Sequence, residues 1–134
     1  MMITCGTVND QPTTVYLVES SEETRALVAG FLERSGRIRV VGTAADPTSA
    51  VVPIRESKPD VVVVDRFPRS ELLTGDHRVV MHATTVPDRT ATELRRAGVD
   101  AIVFKEVGML DELIDTVLRV AGNVSPARTA ASGE

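Results

Sequence analysis

Three charged side chains close apolar runs of this chain. Glu19 follows "TVYLV", Asp65 follows "PDVVVV" and Lys105 follows "AIVF". A fourth run, "RVVMHA", is followed by Thr84 and Thr85. If these runs are neighbouring strands, two acids, a hydroxyl and an amine converge on one sheet edge. Two carboxylates from adjacent strands can hold Mg²⁺, which takes a few carboxylates and fills its shell with water and phosphate oxygens. A carboxylate such as Asp65 can also be a nucleophile toward a phosphoryl group. A lysine opposite it would neutralise the phosphoryl oxygens, and a hydroxyl would hydrogen-bond them. The constellation is that of a phosphoryl acceptor.

Each residue also has an ordinary explanation. Any doubly wound fold places polar groups at its strand ends. Glu19 can be a solvated acid while Ser20 or Ser21 caps the helix that follows, and Ser20-x-x-Glu23 is itself a capping-box pattern. A Lys105–Asp65 pair can be structural as readily as catalytic. His82 can be a satisfied strand-end histidine, and Arg89, Arg95 and Arg96 a solvated helix face.

The elements that would position these residues are read from hydrophobic periodicity. Strands are expected over Thr14–Val18, Arg37–Ala44, the "PDVVVVD" stretch, Arg78–Ala83 and Ala101–Phe104. Four consecutive valines imply burial on both faces, as in the centre of a parallel sheet. Between strands, "SEETRALVAGFLER" puts Leu27, Val28, Phe31 and Leu32 on one helical face, and Gly36 follows where a helix would stop. Asp46-Pro47 suits a cap and first turn for a helix to about Glu56, which Pro53 should kink or shorten. A helix over Pro87–Gly98 is weakly amphipathic. The last helix sets Leu110, Leu113, Ile114, Val117 and Leu118 on its inner face.

Strands alternating with helices imply a parallel sheet covered on both faces. Five such units suggest the flavodoxin-like doubly wound order 2-1-3-4-5, with a ligand crevice beyond the carboxyl ends of strands 1 and 3. Residues 1–13 are expected to be a loose tail, 14–121 the domain, and 122–134 a disordered tail.

The 134 residues fit one domain with a real core, at 43% hydrophobic and 25% charged. A net charge of −4 disfavours phosphate backbones and anionic lipid, and 3% aromatics with no Trp provides little for base stacking. A protein partner or small ligand is the better expectation, with no nucleic acid and no membrane. One cysteine, Cys5, excludes an internal disulfide and fits a reducing cytoplasm. No signal peptide and no run of membrane-spanning length is read from the sequence.

The segments "RVVGTAADPTSAV", "KPDVVVVD", "ELRRAGVDAIVFKE" and "LDELIDTVLRVA" resemble the receiver domain of bacterial response regulators, the CheY-like superfamily, and look closest to LuxR/NarL-type receivers. The resemblance spans roughly Thr14 to Ala121. It implies that Asp65 is the phosphoacceptor served by a histidine kinase and that Lys105 contacts the phosphoryl group. It also implies Mg²⁺ on an acidic pair after strand 1. That pair falls on Glu19 and Ser20, so a hydroxyl replaces one acid, and weak Mg²⁺ binding by Glu19 and Asp65 is expected. Ala83 occupies the place of the Thr or Ser that closes strand 4, with Thr84 next as a phosphoryl hydrogen-bond candidate. Ile102 stands where an aromatic switch is usual. Residues 66–77, twelve in all, leave room for one or two helical turns rather than a full third helix. The backbone carbonyl that completes the metal shell, around Phe67, is then expected to be displaced.

The expectation is an atypical, stand-alone receiver domain in two-component phosphorelay signalling. It acts by protein–protein interaction, with possible phosphorylation at Asp65, and is not an enzyme. A phosphorylation-independent pseudo-receiver is the alternative, as a binding or dimerisation module. A small enzyme on a flavodoxin-like fold comes third, because no Gly-rich phosphate loop, nucleophile elbow or metal-binding His pair occurs. The implied partner is a sensor histidine kinase or other signalling protein, with a homodimer through the family's helix 4–strand 5–helix 5 face. No output domain is read after the last helix.

Overall fold

A computed structural model describes residues 11–66, 68, 70–105 and 110–124. The elements are β1 (Thr13–Val18), α1 (Glu22–Arg34), β2 (Ile38–Ala44), α2 (Pro47–Ser57), β3 (Val61–Val64), β4 (Arg78–Ala83), α3 (Asp88–Ala97), β5 (Ala101–Phe104) and α4 (Leu110–Val124). The five strands form one parallel sheet in the order β2-β1-β3-β4-β5. This is the flavodoxin-like order expected. A short 3-10 turn, Ser70–Leu73, stands between β3 and β4 in place of a full helix.

The sheet alternates cleanly, so its two faces carry separate cores. On one side Val15, Leu17, Val61, Val63, Val80 and Val103 pack with Val28 and Leu32 of α1 and with Leu113, Val117 and Val120 of α4. On the other, Tyr16, Val18, Val62, Val64, Val79 and Met81 pack with Ala50 and Ile54 of α2 and with Leu94 of α3. Leu72, from the 3-10 turn, fills part of the second core. The four valines of β3 are buried on both sides, as four apolar residues in a row require.

Local signals place the helices. Asp46 caps α2, accepting from the Ser49 N–H at 2.9 Å, and Pro47 opens the helix. The helix runs on through Pro53 to Ser57, so the expected shortening does not occur, and Lys58 ends it in the left-handed region at φ 49°. In α1, Val28 and Leu32 face the core, whereas Leu27 is 58% exposed and Phe31 half-buried. The apolar face is thus narrower than the sequence suggested, because the helix rests on the sheet along one i, i+4 row. In α4, Leu113, Val117 and Val120 are buried, while Leu110, Ile114 and Leu118 flank them. That helix continues past Ala121 to Val124, and β1 begins at Thr13. The tails expected over 1–13 and 122–134 otherwise lie outside the described residues.

One glycine is fixed by a close approach. Tyr16 pairs with Gly42 beside a register shift, its ring lies close to Gly42, and its hydroxyl donates to the Thr43 carbonyl at 3.2 Å. A Cβ at position 42 would meet the ring at 2.5 Å. Gly42→Ala should therefore displace the buried ring and lower unfolding stability by about 1–3 kcal/mol. Chemical denaturation of the variant checks this, and an unchanged midpoint would mean the strands part without strain.

Candidate functional site

Each strand-end residue is held by one more ladder bond beyond its strand. Glu19 N–H donates to Ala44 O at 2.9 Å, Asp65 N–H to Val18 O at 3.1 Å and Lys105 N–H to Ala83 O at 2.8 Å. Glu19, Asp65 and Lys105 thereby stand together at the carboxyl edge of the sheet. His82 lies one position below the end of β4, on the side of Val80 and Val103.

The contacts among them differ from the expected set. Lys105 does not hydrogen-bond Asp65. Its Nζ lies 2.8 Å from Glu19 Oε1, and Glu19 is only 2% exposed. The other Glu19 oxygen accepts from the Ser21 N–H at 3.3 Å. Glutamate is one methylene longer than aspartate, which lets the first-strand acid reach the fifth-strand amine. Glu19 is therefore neither a solvated acid nor free for a metal.

Ser20 does not cap α1. Its N–H and hydroxyl both donate to Asp65 Oδ2, at 3.0 and 2.7 Å. The cap is Ser21, whose Oγ accepts from the Thr24 N–H at 3.2 Å, so the Ser20–Glu23 capping box is not formed. The Asp65 side chain is 7% exposed. Its Oδ1 is buried without a hydrogen bond, and Arg66 Nε stands 3.6 Å away, an ion-pair distance too long for a hydrogen bond. Burial pushes the Asp65 carboxyl up, but the two Ser20 donors, helped by neighbouring Glu19 and the Arg66 charge, outweigh it and hold it below the ordinary range. Asp65 is thus an ionised carboxylate, sheltered and already engaged.

Thr84 falls outside the cleft at Asp65. The β4 ladder ends at Ala83, so Thr84 is the first residue off the sheet and is exposed. Thr85 lines the cleft instead, with Asp65, Arg66, Met81, Ala83 and Leu94, around a volume of about 190 Å³. Ala83 leaves no hydroxyl on the strand there, and Ile102 packs half-buried into the second core. A larger cavity, about 480 Å³, lies at the opposite edge of the sheet between α2 and the β3–β4 crossover. It is the wrong edge for the ligand crevice of this sheet order.

As they stand, these residues do not fit Mg²⁺. Glu19 is paired with an ammonium, Ser20 is neutral, and one Asp65 oxygen is taken by Ser20. Among the described residues no group of three His, Cys, Asp or Glu could hold a metal ion. The carbonyl around Phe67 lies outside the described residues.

Spacing alone missed three members of this site: Ser20 as the donor to Asp65, Arg66 as its neighbour, and His82. The parity of His82 with Val80 was the available signal that it points inward. His82 is 4% exposed with Nδ1 unpartnered. Burial, then the Lys105 charge, lowers its pKa to about 4, against a smaller opposing pull from Asp65.

Lys105→Met should leave Glu19 buried and unpaired and destabilise the fold by about 3 kcal/mol. A loss below a few tenths in equilibrium unfolding would mean that Glu19 finds water or another donor. For His82, the unfolded chain takes up the proton near 6.5 and the folded one only near 4. Stability should therefore be intact above pH 6.5 and fall as pH drops toward 4, by about 3 kcal/mol in all. The difference between wild type and His82→Leu melts across that window isolates the histidine, and parallel curves would refute it.

No family model matches the chain. Protein-glutamate methylesterase/protein-glutamine glutaminase 2 of Xanthomonas campestris is 31% identical over 126 residues, which cover 85% of this chain and 36% of that protein. The chain thus spans about a third of the length of that curated relative. The response regulator domain of Thermotoga maritima CheB superposes with a TM-score of 0.75 at 24% identity, over 87% of this chain and 100% of that one. The receiver domain of NarL from Mycobacterium tuberculosis also gives 0.75, at 21% identity, over 84% and 98%. The two structural scores are equal, so the fold does not favour the NarL type over the CheB type. With its strand order and these likenesses, the chain has the CheY-like fold that response regulator receiver domains share.

Proposed function

We propose that this receiver domain works as a phosphorylation-independent binding module in two-component signalling. The observation that carries the reading is the state of Asp65: its side chain is 7% exposed, with Oδ2 held by Ser20 and Oδ1 buried. A nucleophile must present an oxygen to the phosphorus, and this one presents neither. Lys105, which would meet the incoming phosphoryl group, is engaged 2.8 Å from Glu19. The relay beyond the site is also weak in chemistry, with Ala83 and Ile102 in place of a hydroxyl and an aromatic ring.

The partner is another signalling protein, a sensor histidine kinase among the candidates, or a second copy of this chain. The face of α3, β5 and α4 suits either. Phe104 of β5 is 43% exposed, and Arg95 and Arg96 of α3 are exposed as well. Among the described residues no helix is long and apolar enough to cross a membrane. A reducing cytoplasm is the compartment that the single cysteine suits.

A phosphorylated receiver is the second reading. Its support is the lowered pKa of Asp65, which keeps the carboxylate ionised. In that reading Asp65 would accept the phosphoryl group, and Lys105 would contact it once released from Glu19. The methylesterase likeness covers about a third of that relative and supports no esterase activity here.

Incubation with acetyl phosphate and Mg²⁺ separates the readings. The binding-module reading expects no acid-stable, base-labile mass increase, and self-association in analytical ultracentrifugation that is the same for wild type and Asp65→Asn. A mass increase that Asp65→Asn abolishes would replace it with the phosphorylated receiver.

A further inference from the structure

Two strand-end acids close together demand positive charge, and the chain supplies it. Lys105 Nζ lies 2.8 Å from Glu19 Oε1, inside a site where Glu19 is almost wholly buried. Arg66 Nε lies 3.6 Å from Asp65 Oδ1. Two carboxylates thus face two cationic side chains, so their charge is balanced without a metal ion. Arg25 closes the same corner, donating from Nη1 to the Glu19 carbonyl at 2.8 Å. An ammonium and a dication cannot share one carboxylate oxygen at this depth, because their repulsion is little screened away from bulk water.

One acceptor is left over. Asp65 Oδ1 is buried and receives no hydrogen bond, whereas Oδ2 receives two from Ser20. A free carboxylate oxygen beside a carboxylate held by an ammonium is half of a cation site with its other half occupied. We propose that Lys105 is a permanent internal counter-ion in the place of a divalent cation, and that Glu19 Oε1 and Asp65 Oδ1 form a latent metal site that opens only when the ammonium is removed. The proposal rests on the reading of the site as satisfied by its own side chains. It extends that reading to cation response: the native domain does not sense Mg²⁺, and Lys105 is the part of the misfit that a single substitution removes.

Amide NMR during a Mg²⁺ titration tests this, with NaCl of equal ionic strength as the control for screening. No phosphodonor is present, so the result is independent of whether Asp65 can be phosphorylated. Wild type should show no saturable shift at Ser20, Ser21 or Asp65 beyond the NaCl control. Lys105→Met should show saturable shifts at those amides and a melting temperature that rises with Mg²⁺. Lys105→Met combined with Glu19→Gln, which removes both charges, should be silent again. Should Lys105→Met be unfolded on its own, its refolding by Mg²⁺ but not by NaCl, followed by far-UV circular dichroism, gives the same answer. Saturable Mg²⁺ shifts in wild type would overturn the counter-ion role. A Lys105→Met protein that neither shifts nor refolds with Mg²⁺ would overturn the latent site.

Discussion

A carboxylate buried as deeply as Glu19 is costly to hold in the charged form unless an opposite charge comes with it. Lys105 meets that demand, and much of the surrounding arrangement follows from it. The amine that reaches Glu19 is not hydrogen-bonded to Asp65. Asp65 must then find its donors elsewhere, and Ser20 provides both from the turn into α1. Once the Ser20 hydroxyl is directed at Asp65, the cap of α1 falls to Ser21. Three local choices that look unrelated along the chain are therefore one electrostatic solution.

Rigid backbone makes the solution specific. The strand ends are pinned by ladder bonds to their neighbours, and the strands below are buried on both faces. Side chains at such an edge have few alternatives, since the sheet sets which pairs are within reach. Strand order brings the acids of β1 and β3 side by side, with the β5 lysine two strands from β3 and three from β1, and only long side chains span that gap.

Much of the fold could be read from the chain. Four valines before Asp65, the Asp46-Pro47 start of α2 and the short crossover after Asp65 each carry an unambiguous physical signature. Which residues share the strand-end edge was also legible, because the alternation of strands and helices fixes the sheet order. Their pairing was not. Spacing cannot tell whether Lys105 meets the acid of β1 or that of β3, since both lie within the reach of a four-carbon stem. Thr84 and Thr85 differ by one residue, and only the point where the ladder stops decides which one lines the cleft. By type Ser20 suits a helix cap, and only the resemblance to receiver domains makes it a lost acid. Its donation to Asp65 depends on the turn into α1, and no pattern of residue types encodes that turn.

The α3 helix has a consequence of a different kind. Leu94 is its one fully buried residue, and the rest of its length is polar or half-exposed. So small a buried area contributes little free energy against the conformational entropy of ten ordered residues. Such a segment opens in local fluctuations well before the sheet does, and its amide hydrogens exchange with solvent on a faster scale than those of β3. A face built on that helix is ordered in part by whatever binds it, so affinity there carries an entropic cost that a rigid face would not.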